Sequence, residues 1–228
     1  MPAREQPHVR WWLLKGIVFF FVVGAINAIV PALVMEQIGD YSVLHLSSLG
    51  TVAGVLLVVV LSDLAGYWIH RGLHTSQLVW RFTHQMHHAP ERMDMGGAAF
   101  FHPFDVLAQQ IIPTVLIIVL LGVTPLAAAI AGFIGFLLGI TPHLNVRTPA
   151  WLGYVFQRPE MHAVHHLRGV HAYNYGVLAW SDMLFGTWRN PVEFPEGEFG
   201  FWDGASGKVG RMLIGGDVTR GGVFPTEA

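Results

Sequence analysis

The sequence predicts an all-α integral membrane protein, and three observations carry that prediction. Of 228 residues, 53% are hydrophobic and only 12% are charged, with a mean hydropathy of +0.48, which is too apolar for an ordinary water-soluble domain. Uncharged runs recur at lengths that fit a bilayer. Most of the 13 histidines lie between and beyond those runs rather than within them. A formal net charge of −2 offers no cationic surface, so no nucleic-acid partner is expected. Cysteine is absent, which removes disulfides, iron–sulfur ligation and thiol catalysis and leaves histidine as the abundant borderline ligand.

About four transmembrane or membrane-embedded helices are expected, over 16–35, 42–64, 105–121 and 125–141. The first is 20 residues without a charge, preceded by RWWLLK, with Trp11 and Trp12 as interfacial anchors. It exceeds the apolar core of about 7 to 15 residues in a signal peptide, and no clear cleavage site follows. The second begins with 21 uncharged residues, 42–62. The third and fourth, separated by GVTP, are short enough to cross thinly or to form a hairpin that enters and returns. Segments 66–104 and 142–188 then form a helical cap, making 1–188 one membrane domain, and 189–228 reads as a loosely ordered glycine-rich tail.

Charge supplies the orientation. With the N-terminus inside, the outer connections EQIGDY and GVTP contain no Lys or Arg, and all 13 basic residues fall on the inner side. Both termini and the cap are therefore expected to be cytoplasmic. His8 and His45 stand apart from the remaining histidines, as a tail residue and an interfacial one.

The pattern HxxHH occurs twice, as HQMHH (His84, His87, His88) and HAVHH (His162, His165, His166). On a helix, positions i, i+3 and i+4 share a face, so each triplet aims three ring nitrogens at one point or two adjacent points. Packed imidazoles repel one another when protonated, and a bound metal removes that cost. His70 and His74 form an i, i+4 pair at the end of the second span. Asp63 lies 7 and 11 residues before them, within about 20° of the same face. An acid at that depth needs a partner, so Asp63 is expected to accept the second N–H of a ligating histidine, direct coordination or a structural bond to Tyr67 or Trp68 being the alternatives. His143, in TPHLNVR, completes nine candidate ligands. Nine exceed one coordination shell, so two metals are expected; imidazole suits zinc, copper, iron or nickel.

The ordered motifs Asp63–Tyr67–His70–Arg71–His74, Trp80–His84–His87–His88, His102–Pro103, His143–Asn145, Pro159–His162–His165–His166 and Asn174–Tyr175–Gly176, leading into WSDMLFGTW, resemble the fatty acid hydroxylase superfamily, or sterol desaturase family. The resemblance runs from about residue 60 to 188. It implies a membrane enzyme with two iron ions that uses O2 and external electrons to hydroxylate or desaturate a C–H bond of a lipid such as an acyl chain or sterol. It further implies that His70, His74, His84, His87 and His165 hold one iron and His88, His143, His162 and His166 the other. Asn145 would complete the second set directly or through water, and His102 would line the substrate pocket or add a ligand. A cytochrome domain does not fit within the chain, so a separate ferredoxin, rubredoxin or cytochrome is the expected electron donor. A carotenoid hydroxylase is the nearest alternative, disfavoured by NYG and FGTW; an acyl desaturase and a non-catalytic metal-binding or transport protein are more distant.

Overall fold

The computed structural model describes residues 2–38 and 41–219, so part of the first connection and the tail from 220 onward lie outside the described residues. Four helices are long and apolar enough to cross a membrane: Trp12–Ile38, Leu46–Leu73, Pro103–Leu121 and Pro125–His143. Helix α1 is Trp12–Ile38 and α2 is Gly50–Leu73, entered through a 3-10 turn at Leu46–Leu49. Short helices α3 (Gln77–Phe82) and α4 (Gln85–His88) follow, then α5 (Pro103–Val115) and α6 (Pro125–Ile140). The cap adds α7 (Pro159–His166), α8 (Ala179–Leu184) and α9 (Val209–Leu213). Among the described residues there are only two isolated β-bridges and no strand.

The four long helices pair as α1 with α5 and α2 with α6. Lipid offers apolar side chains no water to escape, so close backbone approach has to hold such pairs together. Gly54 on α2 supplies it, since a Cβ there would stand 3.0 Å from the Cβ of Ala127 on α6. Helix α1 is apolar all round and buries only Trp12, Gly16 and Phe19, all near its start. Trp12 is not an interfacial anchor; its indole N–H donates to Asp94 Oδ1 at 2.8 Å, tying α1 to the cap.

The two shorter spans extend beyond their uncharged cores because polar residues cap them. Thr124 Oγ1 accepts from Ala127 N with Pro125 in the first turn, and His102 Nδ1 accepts from Phe104 N with Pro103 next. Beyond Pro113, α5 widens into a π-helical segment, Leu116–Leu121. Its terminal carbonyls Val119 O and Leu120 O accept from Val43 N and Leu44 N at 2.8 and 3.0 Å, satisfying groups a buried helix end would otherwise leave bare.

The described part of the tail, 189–219, is packed rather than loose. Phe194 and Phe199 join Met93 and Ala163 in one apolar cluster, while Ala205, Met212 and Val218 join Phe19, Met86 and Phe100 in another. Its glycines are there for backbone shape: Gly200 has φ +72°, and a Cβ on it would meet Ala89 O at 2.7 Å. Buried Glu91 accepts from Gly204 N, Ser206 N and Ser206 Oγ at 2.8, 3.1 and 2.6 Å. Glu91→Ala leaves the buried Gly204 and Ser206 N–H groups without their acceptor, and is expected to cost about 1–3 kcal/mol, read as a lower unfolding temperature in detergent.

Candidate metal centre

The elements bearing the nine candidate histidines meet at one end of the bundle, where α2 and α6 finish and α5 begins. His70 and His74 close α2, His84, His87 and His88 occupy α4, His143 ends the 3-10 turn Thr141–His143 after α6, and α7 carries His162, His165 and His166. Helix α7 is anchored beneath by fully buried Arg158, which donates to Thr148 Oγ1, Thr148 O, Asn190 Oδ1 and Pro191 O and pairs with Glu160 at 3.1 Å.

The nine histidines form two groups, within each of which one ring nitrogen per residue lies within 4.8 Å of the others. One comprises His70, His74, His84, His88 and His165; the other comprises His87, His143, His162 and His166. This exchanges His87 and His88 relative to the grouping the resemblance implied. Helix phase is the reason. Positions i and i+4 differ by about 40° and i and i+3 by about 60° in the opposite sense, so i and i+4 share a site while i+3 turns away. HQMHH gives His84 and His88 to one group and His87 to the other; HAVHH gives His162 and His166 to the second group and His165 to the first.

In the four-residue group the Nε2 atoms run in a chain, His87 to His143 at 3.2 Å, His143 to His162 at 3.1 Å and His162 to His166 at 3.0 Å. In the other group His70 Nε2 and His84 Nε2 are 2.9 Å apart. A neutral ring nitrogen has either one hydrogen or one lone pair, so the three successive contacts cannot all be hydrogen bonds. Four lone pairs around a cation resolve the conflict. Two nitrogens bound at about 2.1 Å and at a right angle to one ion lie about 3.0 Å apart, which matches these spacings. Further ring nitrogens, including both of His74 and Nε2 of His88 and His165, are buried without a hydrogen-bond partner among the described residues. Outside the spanning segments, burial holds His74, His87, His88, His162, His165 and His166 well below the usual imidazole range, reinforced by their neighbours' charge. Neutral imidazole is the form a metal requires.

The second nitrogen of several of these rings is also held. His84 Nδ1 lies 2.7 Å from Asp105 Oδ2, His70 Nδ1 lies 2.8 Å from Tyr175 O, and His165 Nδ1 lies 2.7 Å from Tyr173 O. Such partners fix the tautomer and leave Nε2 free to bind. Asp105 does for His84 what was expected of Asp63. It sits in the first turn of α5, oriented by Gln109 Nε2 at 2.6 Å, and is fully buried. The HPFD stretch carried the signal, a lone acid beside a histidine at a helix start. Asp105→Ala is expected to weaken metal binding 10- to 100-fold, measured by metal titration of purified protein.

Asp63 touches no histidine. Seven residues of helix separate it from His70 by about 10 Å along the axis, so a shared face did not bring them into contact. It accepts instead from Val177 N, Leu178 N and Ser181 Oγ at 2.9, 2.8 and 2.6 Å. Asp182 takes Tyr175 N and Gly176 N at 2.8 Å each. Two buried carboxylates thus clamp the 173–178 loop whose carbonyls orient His70 and His165. Burial pushes Asp182 up to about 6, against the hydrogen bonds it accepts. Asn145 faces away from the histidines: its Oδ1 accepts from Arg4 N at 3.1 Å and its Nδ2 donates to Arg4 O at 2.8 Å. The N-terminal strand of chain it secures was invisible to local spacing. His102 belongs to neither group; besides capping α5, its Nε2 lies 3.3 Å from Leu213 O. His171, which fits no motif, is fully buried with Nδ1 3.0 Å from Nδ1 of His88.

Helices long and apolar enough to cross a membrane, ending in two polyhistidine groups that could each hold a metal ion, define the class. The fatty acid hydroxylase family model matches residues 55–187, and the chain belongs to that family, one of iron-dependent oxidation. It is 32% identical over 169 residues to an ornithine lipid hydroxylase, OlsE, of Rhizobium tropici, covering 70% of this chain and 48% of that protein. It is 30% identical to a Delta(7)-sterol-C5(6)-desaturase of Nicotiana tabacum, covering 62% and 51%. It is 28% identical to lathosterol oxidase of Homo sapiens, covering 74% and 58%. The chain spans about half the length of the curated relatives it matches. No solved structure matches it.

Proposed function

We propose that the chain is an O2-dependent oxidoreductase that hydroxylates or desaturates a membrane lipid at a di-iron centre. The observation that carries this reading is the pair of adjoining buried histidine groups at the end of an apolar bundle. His70, His74, His84, His88 and His165 would hold one iron, and His87, His143, His162 and His166 the other. When bound, iron would activate O2 toward an unactivated C–H bond. The chain's own residues do the rest: Asp105, Tyr173 O and Tyr175 O orient three imidazoles, and burial keeps water from the centre.

An apolar cavity of about 250 Å³, lined by Leu137, Leu138, Leu144, Val146 and Phe156 among others, suits an acyl chain entering from the bilayer. Relatives named for an ornithine lipid and for sterols support a lipid substrate without choosing between them. The distribution of basic residues supports a cytoplasmic centre and cytoplasmic termini. Electrons come from a separate ferredoxin, rubredoxin or cytochrome. Residues 1–188 form the membrane domain that carries the centre, with 189–219 its cover.

The test is purification in detergent followed by iron analysis and lipid mass spectrometry of cells with and without the protein. Two irons per chain, iron-dependent O2 uptake and a lipid shifted by one oxygen or two hydrogens are expected. Tight zinc without iron-dependent activity would refute the reading.

A further inference from the structure

His171 stands outside both histidine groups, yet it is among the most completely buried side chains of the protein. Its backbone has φ +45°, a conformation a bulky residue adopts only when its surroundings enforce it. Its ring meets that of His88 edge-on, 4.9 Å away at 86°, and is walled by Trp80 at 5.9 Å and Phe201 at 5.2 Å. Phe201 comes from the tail segment, held nearby by Arg168 bonded to Phe199 O and Asp203.

Proton accounting assigns its part. Nδ1 of His88 and Nδ1 of His171 are 3.0 Å apart, so one of the two must carry the hydrogen between them. Nε2 of His88 faces the five-histidine group and has no hydrogen-bond partner among the described residues. If that nitrogen is to offer its lone pair to a metal, the proton of His88 must sit on Nδ1. His171 Nδ1 is then the acceptor, and its own proton sits on Nε2, enclosed without an oxygen or nitrogen partner among the described residues.

We propose that His171 is a positioning residue that accepts the Nδ1–H of His88 and so presents His88 Nε2 to the five-histidine group. The inference rests on the metal reading above. Where His84 is backed by a carboxylate and His70 and His165 by carbonyls, His88 is backed by a neutral nitrogen. The tail acquires a role through this contact, since Phe201 supports the ring that supports His88.

Cobalt(II) titration of the full chain in detergent, followed by visible absorption, tests it. Asparagine places Oδ1 where Nδ1 of histidine stands and tolerates a positive φ, so His171→Asn keeps the acceptor; His171→Leu keeps the bulk and loses it. Wild type and His171→Asn are expected to bind two cobalt ions with one spectrum. His171→Leu should weaken one site 10- to 100-fold and shift its bands, whereas a lower metal-free unfolding temperature would read only the strain of leucine at positive φ. Two tight sites with an unchanged spectrum in His171→Leu would overturn the proposal alone, as would equal loss in both variants. Fewer than two cobalt ions in wild type would overturn the metal reading and the proposal with it. Should His171→Leu fail to fold, nitrogen-15 NMR of histidine-labelled wild type loaded with cadmium decides. His88 protonated on Nδ1 and His171 on Nε2 supports the assignment, and the reverse tautomers overturn it.

Discussion

Replacing His87 with alanine is expected to abolish product formation while the protein continues to accumulate in the membrane. His87 Nε2 ends the chain of contacts through His143, and its ring lies flat on Phe101 with centroids 4.0 Å apart and planes 7° from parallel. Alanine leaves three imidazoles where four converged and a void beside Phe101. Metal affinity of that group should fall by more than about 100-fold, exceeding the effect of removing a partner that only orients a ligand. The spanning helices are untouched, so membrane insertion should persist. His102→Ala is the matching control: it removes a helix cap at a cost of about 1 kcal/mol and should leave metal content intact. Full activity in His87→Ala, or metal loss in His102→Ala, would contradict the grouping.

Metal-free protein is expected to lose stability steeply as pH falls from about 7 toward 5. His74, His87, His88, His162, His165 and His166 are held below the usual imidazole value by burial, so the folded chain keeps them neutral where the unfolded chain binds protons. With folded values depressed, the stabilising contribution is present above about 6.5 and is lost as pH drops through it. Each histidine contributes about 1.4 kcal/mol per pH unit in that window, and several act together. Bound metal holds the same lone pairs and is released on unfolding, so it should raise the whole curve without removing its slope. Thermal unfolding from pH 8 to 5, with and without metal, checks both; a flat metal-free curve would contradict the neutral, buried state of these rings.

Much of this was legible in the sequence because hydropathy and histidine spacing are local. The four spans and the nine histidines follow from runs of apolar residues, two HxxHH repeats and the flanking motifs, whereas the allotment of His87 and His88 between the two groups did not. What was not legible depends on the third dimension. Asp63 has the right helical phase for His70 but the wrong axial height, and spacing modulo 360° hides that difference. Tyr173 and Tyr175 act through carbonyl oxygens, which every residue possesses, so side-chain identity gives no sign of them. Asn145 answers a backbone 141 residues away. Glycine content suggested a loose tail because composition cannot separate a glycine that permits flexibility from one that permits close approach.

The crossed allotment of the two HxxHH repeats has a consequence for how the two groups fill. Each repeat places its outer pair in one group and its middle member in the other, so an ion in each group would sew helices α4 and α7 together twice, by stitches running in opposite directions. His70 and His74 fasten one seam to α2, and His143 fastens the other to the end of α6. Loss of an ion from either group would loosen both helices and, through them, the other group. Filling of one group should therefore order helices that the other needs, so the two binding steps should be positively coupled.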